Sequence, residues 1–137
     1  MSLTTLFAVV LLPVLLALIG LVADGGEVLV ARREVQGLAQ SAAHAGAAEL
    51  DTQAARANPD RPAPLDPRAA ELAAAQYIAI QEPGLTATVR ADGEHVVVHV
   101  TSRPVAMTLL RFAGIMQVQV EADASAAPRT GVASAQR

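Results

Sequence analysis

The stretch LTTLFAVVLLPVLLALIGLVA, residues 3–23, decides the fold because it contains no charged side chain. As an α-helix it would be about 31 Å long, which matches a bilayer hydrocarbon core of about 30 Å. A membrane helix tolerates the central proline because neighbouring groups satisfy the carbonyl that it frees. The predicted membrane-anchor positions are Leu3, Phe7, Leu11, Pro13, Leu16, Ile19 and Ala23.

A cleaved signal peptide is the alternative interpretation of the same segment. Signal peptides combine a basic n-region, an apolar run of about 7–15 residues and a small-residue cleavage site. Here the two residues before the apolar run are not basic, the run is longer, and the sequence DGG follows at residues 24–26. These features favour a retained anchor. The arginines at 32 and 33 lie near the membrane end, but the charge pattern leaves the orientation open.

Two carboxylates, Asp24 and Glu27, stand at the predicted lipid boundary. They act either as a polar stop at the membrane surface or as partners for a cationic group on a neighbouring subunit.

A helical pattern then runs to about Leu50, with small residues in rows that allow helices to approach closely. The predicted helix-packing positions are Ala39, Ala42, Ala43, Gly46 and Ala47. The alternative is that these alanines only supply helix propensity to an exposed helix.

If the glycines at 25 and 26 do not interrupt the helix, it forms a rod of about 70 Å from residue 3 to residue 50. Clustered prolines mark a loop over residues 51–66. Asp66 followed by Pro67 is typical of an N-cap and a first helical residue, which predicts a helix from Pro67 to about Ile80.

Asp92-Gly93 separates two apolar-alternating stretches, 85–91 and 94–102, and predicts a β-hairpin with a two-residue type I′ turn. The predicted apolar pairs are Val89 with Val96, Ala87 with Val98 and Leu85 with Val100.

A short helix is predicted from Pro104 to Phe112, with Val105, Leu109 and Phe112 facing inward. Alternation predicts a third strand from Met116 to Ser125.

The predicted fold class is therefore α+β: a long N-terminal transmembrane helix, then a small head with a three-stranded, mainly antiparallel sheet. The two short helices, beginning at Pro67 and Pro104, are expected to cover the apolar face of the sheet. The predicted organisation is a helical segment (1–50), a Pro-rich loop (51–66), a head (67–126) and a disordered tail (127–137).

Composition argues against several kinds of chemistry. The 137-residue chain has no cysteine, a formal net charge of −3 and three aromatic rings, so thiolate chemistry is excluded and a nucleic-acid surface is disfavoured. His95 and His99 share a strand face, but their α-carbons are about 13 Å apart, too far for one metal ion. No nucleotide-binding or hydrolase motif occurs. We expect no catalytic site, metal, cofactor, nucleic acid or small-molecule substrate.

Two stretches of the chain resemble the TadE/TadG-like minor pilins and pseudopilins of the tight-adherence (Flp) pilus system. The first is LFAVVLLPVLLALIGLVADGGEVLVARREVQGLAQSAAHAGAAEL, residues 6–50, with its mid-helix proline, D-G-G exit, A-R-R turn and alanine-rich helix. The second is VVVHVTSRPVAMTLLRFAGIMQVQVEADASAAPR, residues 96–129, similar to the family's strand, arginine–proline linker and final strand. Together they span most of the chain.

The resemblance implies a single-pass protein of the bacterial cell membrane, with its C-terminal domain extracytoplasmic. It implies membrane lipid, other pilin-like subunits and the Tad assembly machinery as partners, through packing of the N-terminal helix. Pilin-like chains usually have a basic leader and an early glutamate in the apolar segment. The printed sequence shows neither, which favours a priming or accessory role. An anchored extracytoplasmic binding module unrelated to pili remains the alternative function.

Overall fold

The N-terminal helix, α1 (Leu3–Ala47), is continuous through both the proline at 13 and the glycine pair at 25 and 26. The computed structural model describes residues 2–128, and most of the predicted tail (127–137) lies outside this range. At 1.5 Å per residue, the 45 residues of α1 give a rod of about 68 Å. The prediction of one long helix is confirmed, although the helix ends three residues before Leu50.

A short helix, α2 (Thr52–Ala57), lies in the segment predicted to be a loop, so that prediction is wrong for these residues. Asp51 caps the helix: its carboxylate accepts hydrogen bonds from the backbone N–H groups of Gln53 and Ala54, both at 2.9 Å. An N-cap carboxylate before an alanine-rich run favours a helix despite the prolines that follow it.

The next helix, α3 (Pro67–Gln81), confirms the prediction made from Asp66 and Pro67. The Asp66 carboxylate accepts from the N–H groups of the second and third helical residues at 3.1 and 3.2 Å. The buried positions of α3 recur every fourth residue and form one narrow stripe that faces the rest of the head: Ala70, Ala74 and Ile78.

Five strands follow. They are β1 (Thr86–Ala91), β2 (Val96–Thr101), β3 (Val105–Ala106), β4 (Gln117–Val118) and β5 (Glu121–Ala126). Strands β1, β2 and β5 form an antiparallel sheet in the order β1-β2-β5, and β3 pairs with β4 in a separate ladder. Central β2 has Val96, Val98 and Val100 fully buried. Each contributes about 1.5–3 kcal/mol by leaving water.

The β1–β2 hairpin is present, but its predicted register is wrong by two residues. Val89 pairs with Val98 rather than Val96, and a four-residue connection replaces the two-residue turn. The Asp92 carboxylate explains the longer connection, because it accepts from the N–H groups of Glu94 and His95 at 2.8 and 2.6 Å. A shift by an even number of residues keeps each side chain on its predicted face, so the apolar face is unchanged.

The helix predicted from Pro104 to Phe112 does not form. Strand β3 occupies its start, where Val105 pairs with Val118, and a single 3₁₀ turn (Leu110–Ala113) occupies its end. Phe112, predicted to face inward, is 81% exposed. The long third strand predicted from 116 to 125 is divided into β4 and β5, although Ala122 faces the core as the alternation predicts.

Two helices cover one face of the sheet, but only one of them was predicted to do so. Helix α3 packs on β1, while the second half of α1 packs on β5 and β2. Buried side chains from both helices and from the sheet form one hydrophobic cluster, which extends from Val35 in α1 to Ala126 in β5. The predicted head boundary at residue 67 therefore leaves out the part of α1 that completes this core.

Candidate membrane anchor and helix surfaces

The first half of α1 projects from the head and exposes an apolar surface that is covered only at Gly20. Every leucine, valine, isoleucine and phenylalanine between residues 3 and 22 is at least 40% exposed. All seven predicted anchor positions are among the exposed residues, including Pro13 and Ala23. This is the one described helix that is long and apolar enough to cross a membrane. It fits a single-pass anchor of the length predicted from the sequence.

The second half of α1 places the five predicted helix-packing residues inside the head. They are buried, with exposures of 0–6% for the four alanines: Ala39, Ala42, Ala43, Gly46 and Ala47. Their surroundings come from the same chain, since this stretch packs against α3 and the sheet. The small residues do allow a close helix approach, but the partner in this structure is the chain's own head.

Gly46 lies at the tightest point of this contact. A Cβ atom built on Gly46 would stand 2.8 Å from the carbonyl oxygen of Ala70 and 3.1 Å from Cγ1 of Val96. No real side chain fits at the first distance without movement of the α3 backbone. Glycine at this position is therefore required by the close approach of α1 and α3.

Asp24, the first residue after the apolar segment, is a buried carboxylate with an exposure of 1%. It accepts three backbone hydrogen bonds, from Leu110 at 2.6 Å, Leu109 at 2.9 Å and Thr108 at 3.2 Å. These bonds, that of Leu110 above all, hold the pKa of Asp24 below its ordinary value, although burial opposes the shift. Asp24 thus fastens the segment between β3 and β4 to α1, whereas Glu27 is exposed.

The same segment also contacts the apolar part of α1. A Cβ atom on Gly20 would come within 2.8 Å of Cβ of Leu109, so Leu109 packs directly on the helix at that glycine. No local pattern in the sequence indicates these contacts, because they join residues more than 80 positions apart. Sequence reasoning identified Asp24 by its position beside the apolar segment but missed its partners.

A free face remains on α1 opposite its buried stripe. Its members follow the spacing i, i+3, i+4, i+7 and i+11, which places them on one side of a helix. The face consists of Gly26, Leu29, Val30, Arg33 and Gly37. Leu29 and Val30 are 57% and 54% exposed. Sequence analysis did not single out this face, although Leu29 and Val30 are large apolar residues outside the predicted helix-packing positions.

A groove of about 610 Å³ lies between α1, the end of α3 and the residues that follow β2. Two of its polar groups hold neighbouring segments together: Ser102 accepts from the N–H of Val120 at 2.9 Å, and Arg103 donates to the carbonyl of Pro83. Within residues 2–128, no group of three or more histidine, aspartate or glutamate side chains is arranged to hold a metal ion.

Of the two histidines noted in the sequence, His99 lies in β2 on the solvent face of the sheet, and His95 precedes β2. Nδ1 of His99 is 2.6 Å from Oδ1 of Asp123, its direct cross-strand neighbour on β5. The hydrogen bond with this carboxylate raises the pKa of His99. His95 lies at the hairpin turn beside Asp92, whose pKa is lowered by the N–H groups of Glu94 and His95. These pairs are surface contacts of the sheet.

Comparison with known proteins matches residues 2–49 to the family described as putative Flp pilus-assembly TadE/G-like. The match covers the whole of α1, which includes the exposed apolar segment, Asp24 and the small residues that face the head. Neither the curated proteins nor the solved structures gave a match. Residues 2–49 are thus similar to a TadE/G-like pilus-assembly domain, and this similarity supports a pilus-related, structural role.

Proposed function

We propose that the protein is a membrane-anchored minor pilin or accessory protein in the assembly of a Tad/Flp-type pilus. The observation that carries this proposal is the construction of α1. A single helix, matched by the pilus-assembly family, supplies both the bare apolar segment and one wall of the head's core. Because one continuous helix joins the proposed anchor to the core of the head, the head is held at a defined position beside the membrane. An assembling subunit requires such a position.

Membrane lipid is the first partner in this proposal. Leaving a large apolar side chain in water rather than burying it costs about 1.5–3 kcal/mol. Fourteen such side chains stand exposed along residues 3–22. Insertion in the bacterial cell membrane removes this cost, with the head on the extracytoplasmic side. The role is structural, with no catalytic step assigned to any residue.

Other pilin-like subunits are the second partner, and the free face of α1 is the surface that we assign to them. The small residues at 39–47 already contact the chain's own α3 and sheet. The free face, with Leu29 and Val30 between two glycines, leaves room for a second helix just outside the lipid. Glycines at a helix surface allow such an approach.

Site-specific photo-crosslinking in pilus-producing cells tests this assignment. A benzophenone side chain that replaces Val30 is expected to crosslink to a pilin-like subunit or to the Tad machinery. The matched control replaces Ile80, which is 79% exposed on α3 and faces away from α1. Equal crosslinking at both sites, or none at Val30, would contradict the assignment. Unchanged piliation after deletion of the protein would favour a binding module unrelated to pili.

A further inference from the structure

The segment between β3 and β4, residues 107–116, is here called the boundary loop. Its ends are joined by a hydrogen bond from the N–H of Met107 to the carbonyl of Met116 at 3.0 Å. Between them the loop exposes large apolar side chains to solvent. The exposed fractions are 41% for Leu109, 81% for Phe112, 45% for Ile115 and 72% for Met116. An apolar group of this kind on a small domain marks a contact surface.

Two contacts fix the position of the boundary loop relative to the apolar segment. The Asp24 carboxylate binds its backbone at the first residue beyond the apolar run. Leu109 packs on Gly20. Gly20 precedes Asp24 by about one helical turn, which is about 6 Å along the axis of α1 toward its N-terminus. The loop therefore lies beside the last turn of the segment that the proposed function places in lipid.

The positive charge of the boundary loop is also suited to the membrane surface at the end of the apolar segment. Arg111 is the only charged residue between Pro104 and Val120. Its guanidinium carbon is 5.3 Å from the centroid of the Phe112 ring. A long basic side chain at a membrane surface keeps its stem in the apolar region and its charge among the phosphates, while the neighbouring ring enters the acyl boundary.

We propose that the boundary loop inserts its apolar side chains into the interface of the bilayer and forms a second lipid contact beside the anchor. This inference rests on the proposed membrane anchor. Insertion to a depth of about 5–10 Å is typical for such interfacial elements. The consequence is a fixed tilt of the head relative to the membrane normal, because a single helix can change its tilt and turn about its own axis in the bilayer. Entry into a filament would require the loop to leave the lipid.

Fluorescence quenching with single-cysteine variants tests the proposal, and the absence of natural cysteine makes labelling specific. Phe112→Cys and Met116→Cys each carry a nitrobenzoxadiazole label in the full-length chain. The protein is placed in vesicles of phosphatidylethanolamine and phosphatidylglycerol that contain nitroxide-labelled lipid. Ile80→Cys, 79% exposed on α3, is the matched control for an exposed apolar site, and Leu16→Cys reports the anchor.

The expected result is blue-shifted emission at 112 and 116, with several-fold stronger quenching by a shallow nitroxide than at 80. Strong quenching at 16 together with equal, weak quenching at 112, 116 and 80 would overturn the loop proposal and leave the anchor standing. Absence of quenching at 16 would overturn both. A blue shift at 112 that depends on protein density but not on nitroxide would assign the loop to a second copy, and would also overturn the lipid contact.

Discussion

At Gly46 helix α1 approaches α3 so closely that an added Cβ atom would stand 2.8 Å from the carbonyl oxygen of Ala70. We expect Gly46→Ala to destabilise the head by about 1–3 kcal/mol, because the added Cβ must displace the α3 backbone at Ala70. Gly37→Ala is the matched control: the site is exposed on the same helix, and nothing lies within 4 Å of its added Cβ. There the exchange should stabilise the helix by about 0.5–1 kcal/mol.

Thermal unfolding followed by circular dichroism, with the protein in one detergent, measures both effects. Opposite signs for the two substitutions are the predicted result. If both glycines responded alike, the close approach of α1 to α3 would be wrong. The comparison uses the same exchange of residue on the same helix, so helix propensity alone predicts the same gain at both sites.

The pairing of His99 with Asp123 makes the stability of the head depend on pH. Because the pKa of His99 is raised in the folded state, protonated His99 stabilises the fold below its ordinary pKa of 6.5. This contribution is lost as the pH rises through the raised value. We expect stability to fall as the pH rises from below 6.5 through the raised pKa of His99, and the fall to be small because both side chains are exposed.

Urea unfolding at several pH values measures this dependence. His99→Gln and Asp123→Asn should each flatten the profile, and the double variant should add nothing to either single change. A stability that rises from pH 6 to pH 8 in the unsubstituted protein, and falls only in the variants, would contradict the assigned direction of the pKa shift.

Among the elements, those governed by local chemistry could be predicted. Helix α3 follows from Asp66 and Pro67, and a helix long and apolar enough to cross a membrane follows from 21 consecutive uncharged residues. The hairpin shows the limit of such reasoning. Asp92-Gly93 indicates the turn, but the bonds that the Asp92 carboxylate makes decide how many residues it spans. Alternation fixes which face is apolar and leaves a shift of two residues undetermined.

The region from Pro104 to Val120 could not be predicted because its partners are distant in the sequence. Its apolar residues fit a short helix by spacing alone. The structure instead divides them between the β3–β4 ladder and the loop that binds Asp24, more than 80 residues away. The packing partners of the small residues at 39–47 are also distant in the sequence and could not be predicted. Their spacing indicates close helix packing, and only the structure identifies α3 and the sheet as the partners.

Because the second half of α1 contributes to the core of the head, fragments with and without it should differ in their ability to fold. A fragment of residues 24–137 retains Asp24 and the buried face of α1, so it should fold cooperatively in water. A fragment of residues 67–137 lacks one wall of the core, including Val35, Ala39 and Ala42, and should not fold. Amide dispersion in proton–nitrogen NMR spectra distinguishes the two. A folded 67–137 fragment would contradict the shared core.

At the scale of the whole molecule, the chain consists of an apolar rod and a head that completes its core with the end of that rod. The apolar segment of α1 ends just before Asp24, the free face begins two residues after it, and the boundary loop binds the Asp24 carboxylate. The proposed anchor and subunit contact are thus neighbouring parts of α1, and the proposed second lipid contact is the loop beside them. All three proposed contacts require residues 3–23 to lie in a bilayer.

Extraction of membranes from cells that produce the full-length protein tests that dependence most directly. The account predicts that the intact chain stays with the membrane through washes with sodium carbonate and urea, and leaves only in detergent. The fragment of residues 24–137 should instead appear in the soluble fraction. Recovery of the intact, uncleaved chain as a monodisperse monomer in detergent-free buffer would contradict the central claim.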